Sequence, residues 1–146
     1  MDMNRMTIKL QEALQSASAL AMRRGHQGID VEHLLLALMD QEGGIAGSLF
    51  EQAGVSPAAV RQAAEQALTK VAQVHGPGAA PGQIHLTPRL SSLLTKAEDR
   101  MKELRDEFVS VEHIILAMVE EGGIFRRLNL THERLLTALQ QVRGNQ

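Results

Sequence analysis

Apolar residues recur along this chain at intervals of three and four, which is the spacing of one face of an α-helix. The first such segment begins at Thr7 and ends near Gly25, and others follow Asp30 and Ser56, with a shorter one over about 45–53. Ser, Thr and Asp favour helix starts and Gly favours helix ends, so these signals predict four helices before residue 70. No alternating run is long enough to predict a strand.

The same pattern occurs twice, because a shift of 80 residues aligns the second half of the chain with the first. Ten of the 37 positions over 7–43 are identical after this shift, which is hard to obtain by chance. Beyond Gly123 the second copy is shorter by about five residues, although Ser56 still corresponds to Thr131. The identical pairs are Thr7/Thr87, Leu10/Leu90, Leu14/Leu94, Ala17/Ala97, Val31/Val111, Glu32/Glu112, His33/His113, Leu36/Leu116, Ala37/Ala117 and Gly43/Gly123.

The duplication predicts the domain organisation. Residues 75–82 contain three Gly and two Pro, which is typical of a flexible or extended linker. We therefore expect a single domain over 1–146, with repeat one at about 6–70, a linker at about 71–86 and repeat two at about 87–144. Two copies are too few for an open array. The predicted fold is all-α, with eight short helices in two four-helix repeats related by a pseudo-twofold axis.

Composition excludes several classes of protein. Hydrophobic residues make up 44% of the chain, which is typical of a globular fold, and the net charge of -2 without a basic cluster argues against nucleic acid. Three Phe with no Trp or Tyr cannot form a base-stacking platform, and the lack of Cys excludes disulfides and cysteine zinc sites. No apolar run reaches the roughly 18 residues of a membrane span, so we expect a soluble, cytoplasmic protein.

No residue pattern predicts catalysis or a cofactor. His132-Glu133 begins like a zinc-binding His-Glu-x-x-His helix, but Leu136 stands where the second His belongs. His33 and His113 lie in the first turns of their helices, where a His can form a local hydrogen bond. The Gly-rich stretches lack the Gly-Lys-Ser/Thr ending of a phosphate-binding loop. We expect a non-enzymatic module with no cofactor or metal, and a hydrolase using His33 or His113 is the weakest alternative.

A binding surface is the remaining possibility. The chain has seven Met, and flexible Met side chains suit surfaces that accept many partners. A Met at helical spacing is more often a core residue. The seam between two packed repeats is nevertheless a natural place for a partly exposed apolar groove.

The doubled motif resembles a known family. Thr87-Pro88-Arg89-Leu90 and the paired segments 29–35 and 109–115 are similar to the Clp amino-terminal repeat domain, which heads the Clp/Hsp100 AAA+ unfoldases and disaggregases. The resemblance covers residues 6 to about 144. Within the family, segments 68–76 and 141–144 look most like the ClpB disaggregases, while Thr87-Pro88-Arg89 is also found in the ClpC protease partners.

The resemblance implies a substrate-recognition domain tethered to hexameric ATPase rings, where ATP and magnesium would act. Its partners would be unfolded or aggregated polypeptides, and we expect the isolated domain to be monomeric and to bind neither nucleic acid nor membranes. By resemblance, Thr7, Asp106 and Glu112 are linked to chaperone function, and Leu94 and Met101 complete the predicted substrate-binding set. From the pattern alone, Thr7 is a helix cap and Glu112 a first-turn residue, so both interpretations stay open. We also expect Asp106 to be exposed.

Three functions are carried forward. The first is a ClpB-type domain that binds exposed apolar segments of unfolded or aggregated proteins and delivers them to the ATPase ring. The second is an adaptor-docking domain of a ClpC-like protease regulator, whose ligand is a folded protein. The third is the small hydrolase. Weak binding to many unfolded chains, tight binding to one folded partner, and turnover would distinguish them.

Overall fold

The computed structural model describes residues 2–73 and 84–144, and over these ranges the chain forms eight α-helices preceded by a 3-10 turn at Met3–Arg5. The predicted all-α fold is confirmed. The helices are α1 (Ile8–Arg23), α2 (Val31–Met39), α3 (Ala46–Gln52), α4 (Pro57–Leu68), α5 (Pro88–Glu103), α6 (Val111–Glu121), α7 (Ile124–Arg127) and α8 (His132–Gly144).

Helix starts follow the predicted caps. The hydroxyl oxygen of Thr7 accepts the backbone N–H of Leu10 at 3.2 Å, and that of Thr87 accepts the N–H of Leu90 at 3.1 Å. Both Thr residues have extended backbone conformations, with φ and ψ of -63° and 159° at Thr7 and -66° and 155° at Thr87. The two repeats therefore begin their first helices in the same way.

The segment before the first helix of each repeat pairs with the segment before the second helix of the other repeat. Strand β1 (Gly28–Ile29) of repeat one lies parallel to strand β2 (His85–Leu86) of repeat two, with Ile29 opposite Leu86. A parallel bridge also joins Met6 to Val109. These two pairs interchange under the shift of 80 residues, so the repeats exchange equivalent contacts, as a pseudo-twofold axis requires. The strands are only two residues long, and no alternating pattern could have predicted them.

The core lies between the repeats. Helices α2 and α6 are buried on nearly all sides, which explains why their sequences are almost continuously apolar. Helix α3 packs on α8, and α4 packs on α7, so each pairing crosses from one repeat to the other. The rings of Phe50 and Phe125 stack with centroids 5.6 Å apart. Buried side chains from both repeats form one continuous apolar core.

The predicted linker falls mainly on residues that the structure does not describe. Residues 74–83 lie outside the described ranges, and the end of the predicted linker, His85–Leu86, forms β2. The division into repeats at about 6–70 and 87–144 remains a prediction. Within the described helices, none is long and apolar enough to cross a membrane.

Candidate functional site

A groove lies between the first helices of the two repeats. Its volume is about 400 Å³, and its walls come from α1 and α5, with the 3-10 turn and the two short strands closing one side. Many of its residues are equivalent pairs under the shift of 80, among them Leu14 with Leu94 and Gln15 with Thr95. The groove therefore lies along the pseudo-twofold seam. Its lining residues are Met3, Met6, Leu14, Gln15, Ser18, Ile29, Leu86, Ser91, Leu94 and Thr95.

The groove is apolar and uncharged. Not one of its lining residues is Asp, Glu, Lys or Arg, and its polar members carry only hydroxyl or amide groups. Met3 and Leu86 are among the most exposed apolar side chains of the described ranges, at 46% and 37%. Exposed apolar surface is favourable to bury, at about 25 cal/mol per Å². The groove can thus bind an apolar group, and it offers no charge to hold an ionic one.

A smaller cavity of about 200 Å³ lies between the start of α1 and the start of α6. Thr7 and Glu112, both predicted site residues, line it together with Lys9 and Ser110. The Lys9 ammonium donates to the carbonyl oxygen of Glu42 at 2.8 Å, and the ion pair of Glu112 is with Arg143. This cavity differs from the groove in having charged residues of both signs, Lys9 and Glu112, in its lining.

Asp106 reaches Glu112 through an arginine. Arg143 donates to the Asp106 carboxylate at 2.8 Å and to that of Glu112 at 2.6 Å. Nε2 of His113 lies 2.6 Å from Oδ2 of Asp106, the same oxygen that accepts the 2.8 Å hydrogen bond from Arg143. Burial alone would raise the pKa of Asp106, but the hydrogen bonds from Arg143 and His113 outweigh it and hold that pKa below its usual value.

The equivalent carboxylate of repeat one is also bound by an arginine. Glu32 is almost fully buried, and Arg89 donates to it at 2.8 Å and to Glu121 at 2.6 Å. Arg89 also lies 3.5 Å from Asp30. Both Glu residues identified by the repeat are thus held by arginines from the second repeat. The pattern of apolar positions could not reveal these partners, because they are distant in sequence.

The predicted site residues divide between these places. Thr7 and Glu112 lie together at the smaller cavity, and Leu94 lies on the floor of the groove with only 4% of its surface exposed. Met101 is 2% exposed in the core and does not line the groove, so the structure does not bring it together with Leu94, and its predicted role in substrate binding stays a prediction. The expectation that Asp106 is exposed is wrong, since its side chain is 28% exposed and accepts two partners.

Sequence reasoning missed several residues that build the groove. Met3, Met6 and Leu86 lie outside the helical pattern, in the turn and the strands. Only their position just before Thr7 and Thr87 could have indicated them. Leu14 was visible as the repeat partner of Leu94, but the identity by itself did not show that both face the same seam.

Ser110, His113 and Asp106 lie in contact in an order that resembles a hydrolase triad, but they cannot act as one. The backbone N–H of Ser110 donates to Nδ1 of His113 at 2.8 Å, which places the imidazole proton on Nε2, facing Asp106. The Ser110 hydroxyl oxygen also lies 3.0 Å from Nδ1. Because Nδ1 accepts the backbone N–H of Ser110 and the hydroxyl donates to the Glu112 carboxylate at 3.2 Å, this contact belongs to the helix cap rather than to a general base. His33 is held in the same way by the N–H of Asp30. Within residues 2–73 and 84–144, no three His, Asp or Glu side chains are placed to hold a metal ion.

Residues 5–131 match the model of the Clp repeat (R) N-terminal domain. The chain belongs to this family. Clp N-terminal domains are non-catalytic helical modules of Hsp100 proteins, and the fold and the local roles of His33 and His113 agree with that.

Curated relatives place the domain near the ClpB chaperones. It is 45% identical over 152 residues to the chaperone protein ClpB of Nitratidesulfovibrio vulgaris and 43% identical over 150 residues to that of Bacillus cereus. Both alignments cover 100% of this chain but only 18% and 17% of the relatives. The Clp domain described here thus spans less than a fifth of those proteins.

Solved structures share its fold. The Hsp104 N-terminal domain from Candida albicans superposes with a TM-score of 0.80 at 20% identity, covering 97% of this chain and 93% of that one. The N-domain of ClpV from Vibrio cholerae gives a TM-score of 0.77 at 20% identity, covering 95% and 85%. A ClpV N-domain has also been solved in complex with a VipB peptide, with a TM-score of 0.74 at 21% identity over 90% of this chain and 82% of that one.

Proposed function

We propose that this chain is the substrate-recognition domain of a ClpB-type protein disaggregase, and that the groove between α1 and α5 binds exposed apolar segments of unfolded or aggregated proteins. The observation that carries the proposal is an open, uncharged, apolar groove on a Clp N-terminal domain that is 45% identical to a ClpB chaperone. Unfolded proteins differ from folded ones chiefly in the apolar surface they expose, so such a groove distinguishes the two.

The remainder of the proposal concerns the whole protein. The domain delivers its substrate to hexameric ATPase rings in the cytoplasm, and those rings bind ATP and magnesium, whereas the domain itself acts without a cofactor and is monomeric in isolation. The supporting observation is that similar ClpB chaperones are more than five times as long as this chain.

Binding should be weak. A disordered segment loses conformational freedom when it enters the groove, which offsets much of the gain from apolar burial. We therefore expect dissociation constants of about 1 μM or weaker for an unfolded polypeptide. Weak binding also suits a domain that must release many unrelated substrates.

A pair of substitutions tests the groove. Met3 lines it and Met22 does not, yet both side chains are 46% exposed, so a charge at either position has the same access to solvent. Fluorescence anisotropy with reduced, carboxymethylated α-lactalbumin should show at least tenfold weaker binding for Met3→Glu and unchanged binding for Met22→Glu. Equal binding by both variants would exclude the groove as the site.

The smaller cavity favours adaptor docking as a second candidate function. Its rim carries Lys9 and Glu112 at fixed positions, and fixed charges suit a folded partner with a complementary surface. Calorimetry would support adaptor docking if it showed nanomolar, one-to-one binding of a folded protein. That binding should be abolished by Glu112→Gln and retained by Met3→Glu, which would favour docking at the smaller cavity over substrate binding in the groove.

A further inference from the structure

Leu86 has a backbone edge that strand pairing leaves open. Its neighbours use their N–H groups to pair with β1, since His85 donates to Gln27 at 3.4 Å and Thr87 donates to Ile29 at 3.1 Å. Successive residues of a strand direct their backbone groups to opposite sides. The N–H and C=O of Leu86 therefore point away from β1, and its side chain lines the groove.

The equivalent residue of repeat one, Met6, has no such open edge. Its N–H donates to the carbonyl oxygen of Met3 at 3.1 Å, and its own carbonyl oxygen accepts Nε2 of Gln11 at 3.0 Å. The 3-10 turn and the Gln11 amide thus occupy both hydrogen-bonding positions that a neighbouring strand would use.

Repeat two has no counterpart of this closure among the described residues. Ser91 stands where repeat one has Gln11, and its side chain is too short to reach as the amide does. Over residues 2–73 and 84–144 the Leu86 C=O has no donor and its N–H has no acceptor. Leu86 is also 37% exposed, so solvent, or another chain, can reach this edge.

We infer that a bound polypeptide segment adds to β2 as an extended strand, exchanging main-chain hydrogen bonds with Leu86 while its alternate side chains enter the groove. This inference rests on the proposed function and specifies the conformation of the ligand. A helix uses its own N–H and C=O groups internally and has none to offer Leu86. In an extended segment the backbone N–H and C=O groups are free, and those of every second residue point towards the same edge of the strand.

The occupant is therefore an uncharged, extended segment with apolar residues at alternate positions. Main-chain hydrogen bonds do not depend on side-chain identity, so they give affinity without sequence specificity. The groove adds selection through its uncharged lining, which rejects a Lys or Glu at an inward position because nothing there compensates the buried charge. Such a ligand occurs in nearly every unfolded protein and is absent from the surface of most folded ones.

Installing the Gln of repeat one in repeat two tests the edge. In Ser91→Gln, the new amide takes the position that Gln11 has relative to Met6 and donates to the Leu86 C=O, blocking strand addition. We expect about tenfold weaker binding of reduced, carboxymethylated α-lactalbumin, as for the loss of one main-chain pair. Ser91 lines the groove, so Ser91→Met, which adds similar bulk without an amide, is the matched control. Binding about tenfold weaker in Ser91→Gln than in Ser91→Met isolates the effect of the amide, and urea unfolding checks that both variants fold.

A peptide scan provides an independent readout. The shortest binding peptide from the same α-lactalbumin is N-methylated at one residue after another, which removes one N–H each time. Leu86 offers one C=O to a ligand N–H, so strand addition predicts that N-methylation weakens binding at the residue that donates to Leu86 and not at its immediate neighbours. A helical ligand instead loses binding at consecutive interior positions. If the losses are consecutive, or if Ser91→Gln binds normally while Met3→Glu does not, the ligand is in the groove but not as a strand, and the inference is overturned while the proposed function stands.

Discussion

Asp106 accepts a hydrogen bond from His113, with Oδ2 and Nε2 2.6 Å apart, and the equivalent contact of repeat one joins two imidazoles instead. There, Nε2 of His33 lies 2.8 Å from Nδ1 of His26, the residue at the position of Asp106. Both His33 and His113 accept a backbone N–H from the residue that caps their helix. The repeats thus share one capping arrangement and differ in the group that supports it, a carboxylate in one and a second His in the other.

This difference predicts that acid weakens repeat one. Burial and, to a smaller extent, the charge of a protonated His26 together lower the pKa of His33 to about 4. An unfolded His has a pKa near 6.5, so below that pH the unfolded chain binds more protons than the folded one. Stability is complete above about pH 6.5 and falls as the pH drops towards 4. We expect the free energy of unfolding to decrease by about 2 kcal/mol between pH 7 and pH 5.

His26→Asp tests this by giving repeat one the carboxylate of repeat two. The new acceptor should stabilise protonated His33, so its pKa should rise and the loss of stability between pH 7 and pH 5 should shrink. Urea unfolding at both pH values and an NMR titration of the imidazole provide the measurements. An undiminished loss in the variant would mean that other groups cause the acid sensitivity.

Asp106→Ala should destabilise the domain more than a surface substitution would. It removes the acceptor of the buried His113 Nε2 and one of the two carboxylates that Arg143 binds, and leaving the His113 donor unpaired costs about 1–3 kcal/mol. The pKa of Asp106 is lower in the folded chain than in the unfolded chain, where an Asp has a pKa of about 4. The stability that its carboxylate contributes is therefore fully present above about pH 4 and is lost as the pH falls through the lowered folded-state pKa. Asp106→Asn keeps one acceptor and should lose less, as urea unfolding at pH 7 can show.

The sequence predicted the fold in detail because helix caps and apolar periodicity are local. Thr7, Asp30 and Ser56 each cap the helix they were expected to cap, and the shift of 80 residues identified the pseudo-twofold pairs. The strands were not predictable, since two residues cannot display a period of two. Their pairing depends on how the repeats pack, which is a tertiary property.

The site was only partly predictable, for a related reason. An apolar residue at helical spacing faces something, but the spacing does not say whether it faces the core or an open seam. Leu94 faces the groove and Met101, seven residues later on the same helix, is enclosed. Likewise, charge patterning could not show that Arg143 binds Asp106 and Glu112, because such pairs form only once α8 packs against α6.

Arg89 should be more important for stability than an exposed arginine. Arg89→Ala would leave Glu32 buried without its cation, at a cost of about 2–3 kcal/mol, whereas Arg61→Ala removes an exposed pair with Asp40 worth less than about 1 kcal/mol. Adding Glu32→Leu to Arg89→Ala should recover part of the loss, because no unpaired buried charge remains. Additive losses in a double-mutant cycle would contradict a direct coupling of the two residues.

The two Thr caps should differ in their contribution to stability. Thr7→Ala removes a capping oxygen and should cost about 1 kcal/mol. Thr87→Ala removes an equivalent cap and also the hydroxyl that donates to Asp30 at 3.0 Å, so it should cost about 1 kcal/mol more. Thermal or urea unfolding of the two variants compares them directly. Equal losses would mean that the Thr87–Asp30 hydrogen bond contributes nothing beyond the cap.

Thr7→Ser separates the capping role of Thr7 from a role in recognition. Serine retains the oxygen that accepts the Leu10 N–H and removes only the methyl group, so stability should stay within about 0.5 kcal/mol of the parent. Thr7 lines the smaller cavity rather than the groove, so binding of unfolded α-lactalbumin should be unchanged if the groove is the substrate site. Weaker binding at unchanged stability would place the methyl group of Thr7 in the substrate contact and extend the site beyond the groove to the cavity that Glu112 shares.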